Sequence, residues 1–236
     1  MTIQDWFFVG VDLGQSRDFT AIAAVERVVR RGEWDAEWFA WRKEVGLQLR
    51  YLERVPLGTP YPEVVERVVG MTRSRELEGR CHLAVDATGV GRPVVDLLRS
   101  AGPGCTMLPV MVTGGERETM DQGYYRVPKR DLIIGLQVLL QQEGLKIAAG
   151  LRYGEALVRE MAGMQVRVTA SGNEQYGAWR EGTHDDLVFA VALACWNARK
   201  VYPEGREEWC TQDEREAARI FQRAARWFGE GGDRIV

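Results

Sequence analysis

The stretch Phe7-Phe8-Val9-Gly10-Val11-Asp12-Leu13-Gly14 decides the fold. A run this apolar reads as a strand buried on both faces, because a strand with one wet face would alternate. An aspartate closing such a strand needs a partner or a metal. The phrase recurs at His82-Leu83-Ala84-Val85-Asp86, a second short apolar run ending on aspartate, followed by a glycine-containing turn and a helix. Two such strands lying parallel as neighbours place Asp12 and Asp86 at one edge of a sheet, about 5 Å apart by ordinary strand spacing.

Outward from the first strand, Thr20 to Val29 is β-branched and apolar, Arg30-Arg31-Gly32-Glu33 reads as a turn, and Trp34 to Val45 as another extended run. The three strands form an antiparallel meander, and its first turn returns Asp18 toward Asp12. Thr59-Pro60 opens a crossover helix with Val64, Val65, Val68 and Val69 on one face, leading into the Asp86 strand. Arg92-Pro93 opens the next helix, with Val94, Val95, Leu97 and Leu98 inward, and Thr106 to Val112 is a fifth strand. Thr113 to Gly123, glycine-rich and polar, reads as a loop. Pro128 then begins an amphipathic helix carrying Leu132, Ile133, Leu136, Leu139 and Leu140.

Leu145 to Ala148 is a short extended piece, and a helix follows from Leu151 to Gly163. A hairpin turns around Ser171-Gly172-Asn173, and the last core helix runs from Thr183 to Lys200. The order predicts an α/β domain over residues 1–202, with a mixed five-stranded central sheet flanked by helices and a small hairpin. A C-terminal amphipathic helix and tail occupy residues 203–236.

The chain has 236 residues, 45% apolar, with a formal net charge of -3. That charge argues against coating nucleic acid by bulk electrostatics but leaves room for local basic patches. No run approaches the roughly 20 apolar residues that span a bilayer. The first residues show no basic export signal, so a cytoplasmic protein without a membrane partner is expected. Cys81, Cys105, Cys195 and Cys210 form no CxxC pair and read as buried thiols rather than a zinc site or a disulfide set.

Three acidic positions stand out: Asp12, Asp86, and the pair Asp185-Asp186 at the start of the last helix. Four acids in one place would repel one another without cations, and hard oxygen donors suit Mg²⁺ or Mn²⁺. Two such ions about 3.5 to 4 Å apart can activate water and stabilise a leaving oxygen in phosphodiester hydrolysis. Plainer readings exist for each acid. Asp12 and Asp86 can cap the turns after their strands, and Thr183 with Asp186 fits an N-cap and N3 pair. His184 reads as an orienting or exposed residue. Lys129 and Arg130 sit in the first turn of a helix, where the dipole disfavours cations, so either an anion lies there or they form a solvated face.

The strand and helix order, with acids ending the first and fourth strands and another on a later helix, resembles the ribonuclease H-like nuclease superfamily. More narrowly, four phrases in register resemble the nuclease domain of the large terminase subunit of tailed bacteriophages. They are Gly10-Val11-Asp12-Leu13-Gly14 with Asp18-Phe19-Thr20-Ala21, Val85-Asp86-Ala87-Thr88-Gly89-Val90-Gly91, Val127-Pro128-Lys129-Arg130-Asp131-Leu132, and His184-Asp185-Asp186-Leu187. The resemblance implies a metal-dependent endonuclease that cuts double-stranded DNA during packaging. It implies Asp12 bridging two metals, Asp86 completing one site, Asp185 or Asp186 the other, and Asp18 as an additional acid.

Phosphate contacts are expected from Arg126, Lys129 and Arg130, and from Arg167 and Arg180 on the hairpin. No GxxxxGK[ST] phrase occurs in these residues, so the resemblance implies an ATPase motor either elsewhere in a longer chain or as a separate partner, alongside a small terminase subunit and a portal, unless the nuclease works alone. Two other function classes fit parts of the pattern. Asp12-Leu13-Gly14 and Asp86-Ala87-Thr88-Gly89 also resemble phosphate loops of the actin and sugar-kinase superfamily, which detectable ATP turnover would favour. A non-catalytic DNA-binding or assembly module of the same fold would show no cleavage and no stabilisation by metal.

Overall fold

A computed structural model describes residues 3–14, 18–36, 39–89, 91–168, 174–177 and 184–202. Cys210, Thr183, Arg180 and the expected C-terminal helix lie outside the described residues. In chain order the elements are β1 (Ile3–Asp12), β2 (Thr20–Asp35), β3 (Ala40–Val55), α1 (Tyr61–Thr72), β4 (Cys81–Asp86), α2 (Gly91–Ala101) and β5 (Thr106–Thr113). They continue with β6 (Thr119–Asp121), β7 (Tyr124–Pro128), α3 (Lys129–Gln141), β8 (Leu145–Ile147), α4 (Gly154–Gly163), β9 (Gln165–Val168), β10 (Glu174–Gly177) and α5 (Asp186–Val201).

One sheet of eight strands runs in the order β6-β7-β5-β4-β1-β2-β3-β8. Its centre, β5-β4-β1-β2-β3, is the expected five-stranded arrangement, and three short strands extend its edges. Strand β1 pairs parallel with β4 (Val11 beside Val85), and β4 pairs parallel with β5 (Asp86 beside Val110). The links from β1 to β2 and from β2 to β3 are too short for a parallel crossover, so these neighbours run antiparallel. Strands β9 and β10 form the separate antiparallel hairpin, with Glu174 beside Val168.

The contacts divide the described residues into two compact units, those within 5–28 and 46–202, and those within 3–4 and 29–45. In the first, one sheet face packs its core against α3, α4 and α5 through Phe8, Ala21, Ala84, Leu132, Leu157 and Leu193. The other face packs against α1 and α2 through Val9, Ile22, Leu83, Val64 and Val94. In the second unit, Trp34 stacks edge-on to Trp41 at 5.3 Å, and the Arg31 guanidinium lies 3.8 Å from the centre of the Trp41 ring.

Several boundaries differ from the sequence reading. Arg30 to Glu33 is not a turn, because β2 continues through it to Asp35 and β3 starts at Ala40. Gly32, taken as a turn residue, is a strand position with Glu44 close beside it. The expected loop from Thr113 to Gly123 contains a hairpin. Gln122 and Gly123 both take left-handed backbone angles, the signature of a tight two-residue hairpin turn, and join β6 to β7. Leu97, expected inward, is exposed. Helix α5 begins at Asp186, three residues later than read, with Asp185 as its N-cap.

Strand β3 also slips its alternation. Leu47, Leu49 and Leu52 all join the core facing α5, so one extra residue between Leu49 and Leu52 reverses the parity, as a bulge does. The next residue in step with Leu52 is Arg54, which therefore points to the α5 side.

Gly10 places α5. A Cβ at this position would lie 2.1 Å from the Ala190 carbonyl oxygen and 2.6 Å from the Ala194 nitrogen, so helix and strand meet backbone to backbone. Gly10→Val is expected to destabilise the fold by about 3 kcal/mol or more, the upper range for overpacking, because the obstructing atoms are main chain. Urea unfolding checks this: the midpoint should fall with the slope unchanged.

Candidate active site

The acids gather because of strand parity. Phe8, Gly10 and Asp12 share the face of β1 covered by α5, and Ala84 and Asp86 share that face of β4. The register Val11 beside Val85 makes Asp12 and Asp86 neighbours at the same sheet edge. Helix α5, seated on Gly10, begins at this edge and brings Asp185 and Asp186.

Asp12 is half-buried and its carboxyl is held well above the usual range. Burial contributes most, followed by the negative charges of Asp86, Asp185 and Asp186, while Lys129 opposes them. Asp86 is also raised by burial, opposed by the hydroxyl and amide of Thr88, by Lys129 and by a hydrogen bond with Asp12. The turn-capping reading is realised for Asp86, whose Oδ1 accepts the Thr88 amide at 2.8 Å. The Thr88 hydroxyl in turn accepts the Val112 amide at 2.8 Å, tying the loop after β4 to β5.

The two adjacent acids of α5 have different surroundings. Asp185 remains about one-third exposed, and its Oδ2 lies 3.4 Å from the Lys129 Nζ. Its side chain makes no capping hydrogen bond. Asp186 is buried, and its two oxygens accept from Arg54, from Nε at 2.8 Å and from Nη2 at 3.3 Å. Arg54 Nη2 also bonds Glu160 Oε1. The other oxygen of Glu160 accepts the Leu187 and Val188 amides at 3.1 and 3.3 Å, so a residue of α4 caps α5. Burial and the nearby Asp186 push the Glu160 carboxyl up to about 7, against Arg54 and the two amides. Asp186 is raised by burial, with Arg54 opposing.

Arg54 and Glu160 escape the sequence reading. Arg54 falls beyond the expected end of its strand, and Glu160 carries no spacing signal within an ordinary helix. The remaining expected residues are dispersed. Asp18 is exposed and is not among the acids that raise Asp12. Lys129, expected as a phosphate contact, reaches into the acids and lies 4.2 Å from the centre of the Phe189 ring. Arg126 is exposed, 3.9 Å from Asp121, and Arg130 lies 3.5 Å from Asp131. Arg167 is on β9, beside Gln175.

The donors that could hold a cation are carboxylate oxygens from β1, β4 and the start of α5, a set suited to a hard divalent ion. Among the described residues no three His, Cys, Asp or Glu side chains close around a single point as a metal-holding group. Lys129 instead supplies positive charge beside Asp185. The donor chemistry itself suits a hard divalent ion such as Mg²⁺ or Mn²⁺. No helix among the described residues is long and apolar enough to cross a membrane.

The raised acids determine a pH dependence. Asp12, Asp86 and Asp186 lie above 3.8 and Glu160 rises from 4.5 to about 7, so the folded chain holds protons that the unfolded chain releases. Their contribution is fully present below the unfolded values and is lost as pH rises through the folded ones. In EDTA the melting temperature is expected to fall between about pH 5 and about pH 8, and millimolar Mn²⁺ should flatten the decline by replacing the protons. Calorimetric melting across that range, with and without Mn²⁺, measures it. A melting temperature rising over that interval in EDTA would contradict the assignment.

No protein-family model matches the chain, and no curated protein is significantly similar to it. Solved structures do share its fold. The large terminase nuclease from thermophilic phage G20c with bound magnesium is 22% identical, with a TM-score of 0.55 over 82% of each chain. The same nuclease with bound cobalt gives 22% identity and a TM-score of 0.55, over 82% of this chain and 81% of that one. A variant nuclease domain of the large terminase subunit gp2 of bacterial virus Sf6, with manganese and beta-thujaplicinol, is 14% identical. Its TM-score is 0.56, over 80% of this chain and 87% of that one. From the meander through the strand-end aspartates to the buried last helix, this chain has the ribonuclease H-like fold of phage large terminase nuclease domains.

Proposed function

We propose that the chain is a metal-dependent endonuclease that cuts double-stranded DNA, acting as the nuclease part of a viral DNA-packaging terminase. One observation carries the reading: Asp12, Asp86 and Asp185 reach one sheet edge from three separate elements, on a fold shared with nucleases solved with bound magnesium and cobalt. In this reading Asp12, Asp86 and Asp185 would hold two Mg²⁺ or Mn²⁺ ions, with Asp186 behind Asp185. When bound, the ions activate water and stabilise the leaving oxygen of a phosphodiester.

The chain's own residues supply the rest. Lys129, 3.4 Å from Asp185, offsets part of the cluster's charge and can turn toward a phosphate as divalent ions enter. Arg126, exposed, and Arg130, half-buried, position flanking phosphates together with Arg167 and Arg180, a role that tolerates sequence because phosphates carry no base identity. An ATPase motor, a small terminase subunit and a portal are the partners this role requires.

Asp12→Asn is expected to abolish Mn²⁺-dependent conversion of supercoiled plasmid to linear and smeared products. The same change should leave melting in EDTA equal or higher, since it removes one negative charge from the clustered acids. Full cleavage by Asp12→Asn or Asp86→Asn would sink the assignment. DNA affinity in Ca²⁺ provides a separate check. The double variant Arg126→Ala/Arg130→Ala should flatten the dependence of log affinity on log salt by about two, one for each phosphate that is no longer neutralised. An unchanged slope would move the DNA path elsewhere.

A further inference from the structure

The start of α5 presents two consecutive aspartates, but only one of them faces outward. Consecutive helical positions are turned by about 100°, so when Asp185 is directed to the sheet edge Asp186 is directed into the protein. A carboxylate buried that deeply needs a cation. Arg54 supplies it, and with a planar fork rather than a point charge, binding both oxygens of Asp186 at 2.8 and 3.3 Å while also bonding Glu160. Glu160 holds the first two free amides of α5 at 3.1 and 3.3 Å. The guanidinium carbon lies 4.9 Å from the centre of the Phe19 ring, and that ring meets His184 edge-on at 5.1 Å. Side-chain exposure is 17% for Arg54 and 7% for Asp186, against 32% for Asp185.

We propose that Arg54 is a positioning residue that decides which α5 aspartate serves the metals: its fork locks Asp186 inward against Glu160 and thereby leaves Asp185 facing Asp12 and Asp86. The inference rests on the nuclease reading. Three elements distant in sequence, β3, α4 and α5, are joined at this one guanidinium. Rotation or fraying of the first turn of α5 would break the bidentate pair and both amide bonds together. Arg54 is too enclosed to hold DNA, so its effect falls on turnover rather than on substrate binding. Without the fork, Asp186 is released and can compete with Asp185 for the ions, which strengthens the attraction for cations while spoiling their placement.

The test compares wild type, Arg54→Gln and Arg54→Lys by Mn²⁺ binding in calorimetry, by kcat and KM for plasmid cleavage at saturating Mn²⁺, and by thermal melting. Arg54→Gln should bind Mn²⁺ at least as tightly as wild type, with KM for DNA unchanged and kcat at least tenfold lower. Arg54→Lys keeps the charge but not the two-pronged geometry, and should lose kcat to a similar degree with Mn²⁺ affinity near wild type. Wild-type kcat in a folded Arg54→Gln overturns the proposal, as does full rescue by Arg54→Lys, which would reduce the fork to a bare charge. A lower melting temperature with unchanged kcat, or failure of both variants to fold, assigns Arg54 to folding alone and likewise overturns it. If wild type itself neither binds Mn²⁺ nor cleaves, the nuclease reading fails instead, so the two failures are distinct.

Discussion

Backbone contact between α5 and β1 at Gly10 governs the geometry of the site. A side chain at this position would overlap the Ala190 carbonyl, so the helix lies as near the sheet as main chain permits. The alanines at 190 and 194, both buried, suit that approach because they add little bulk between helix and strand. A helix enclosed on nearly all sides cannot slide or roll without disturbing the core on each of them. The acids at its start are thereby held against the aspartates that end β1 and β4.

Gathering these acids is unfavourable for the chain by itself. Each carboxylate brought to the edge loses water, which raises Asp12, Asp86 and Asp186, and Asp12 is raised further by the negative charges of Asp86, Asp185 and Asp186. The chain offsets the conflict in two ways. Lys129 lies beside Asp185, on the exposed side where an incoming cation could displace it. Arg54 lies behind, where its bonds to Asp186 and Glu160 are shielded from water. One cation lies on the open side of the cluster and the other is enclosed behind it. Such conflicts between local stability and arrangement are characteristic of functional sites.

Much of the fold was legible in the residues. The two apolar runs that end on aspartate could be matched as neighbouring strands, and the valine and leucine stripes of α1 and α3 marked which faces turn inward. Boundaries were harder to read. Arg30 to Glu33 has turn composition, yet pairing with β3 carries the strand through it, since a ladder of hydrogen bonds outweighs the weak preference of a few residues. The tight turn at Gln122-Gly123 was hidden inside a glycine-rich run whose polarity suggested only a loop.

What the sequence determined by itself was the pair Asp12 and Asp86. A strand buried on both faces must end where a charge appears, and alternation then sets the face on which that charge stands. Both constraints act within a few residues. Tertiary structure alone decided the rest of the site: that Asp185 is open while Asp186 is enclosed, that Lys129 enters the acid cluster, and that Arg54 and Glu160 belong to it. The Arg54 bonds join residues 132 and 106 positions apart, and the strand that carries Arg54 reverses its alternation between Leu49 and Leu52. No local period encodes such a meeting, because it depends on how closely separate elements pack, and here that is set by the absence of a side chain at Gly10.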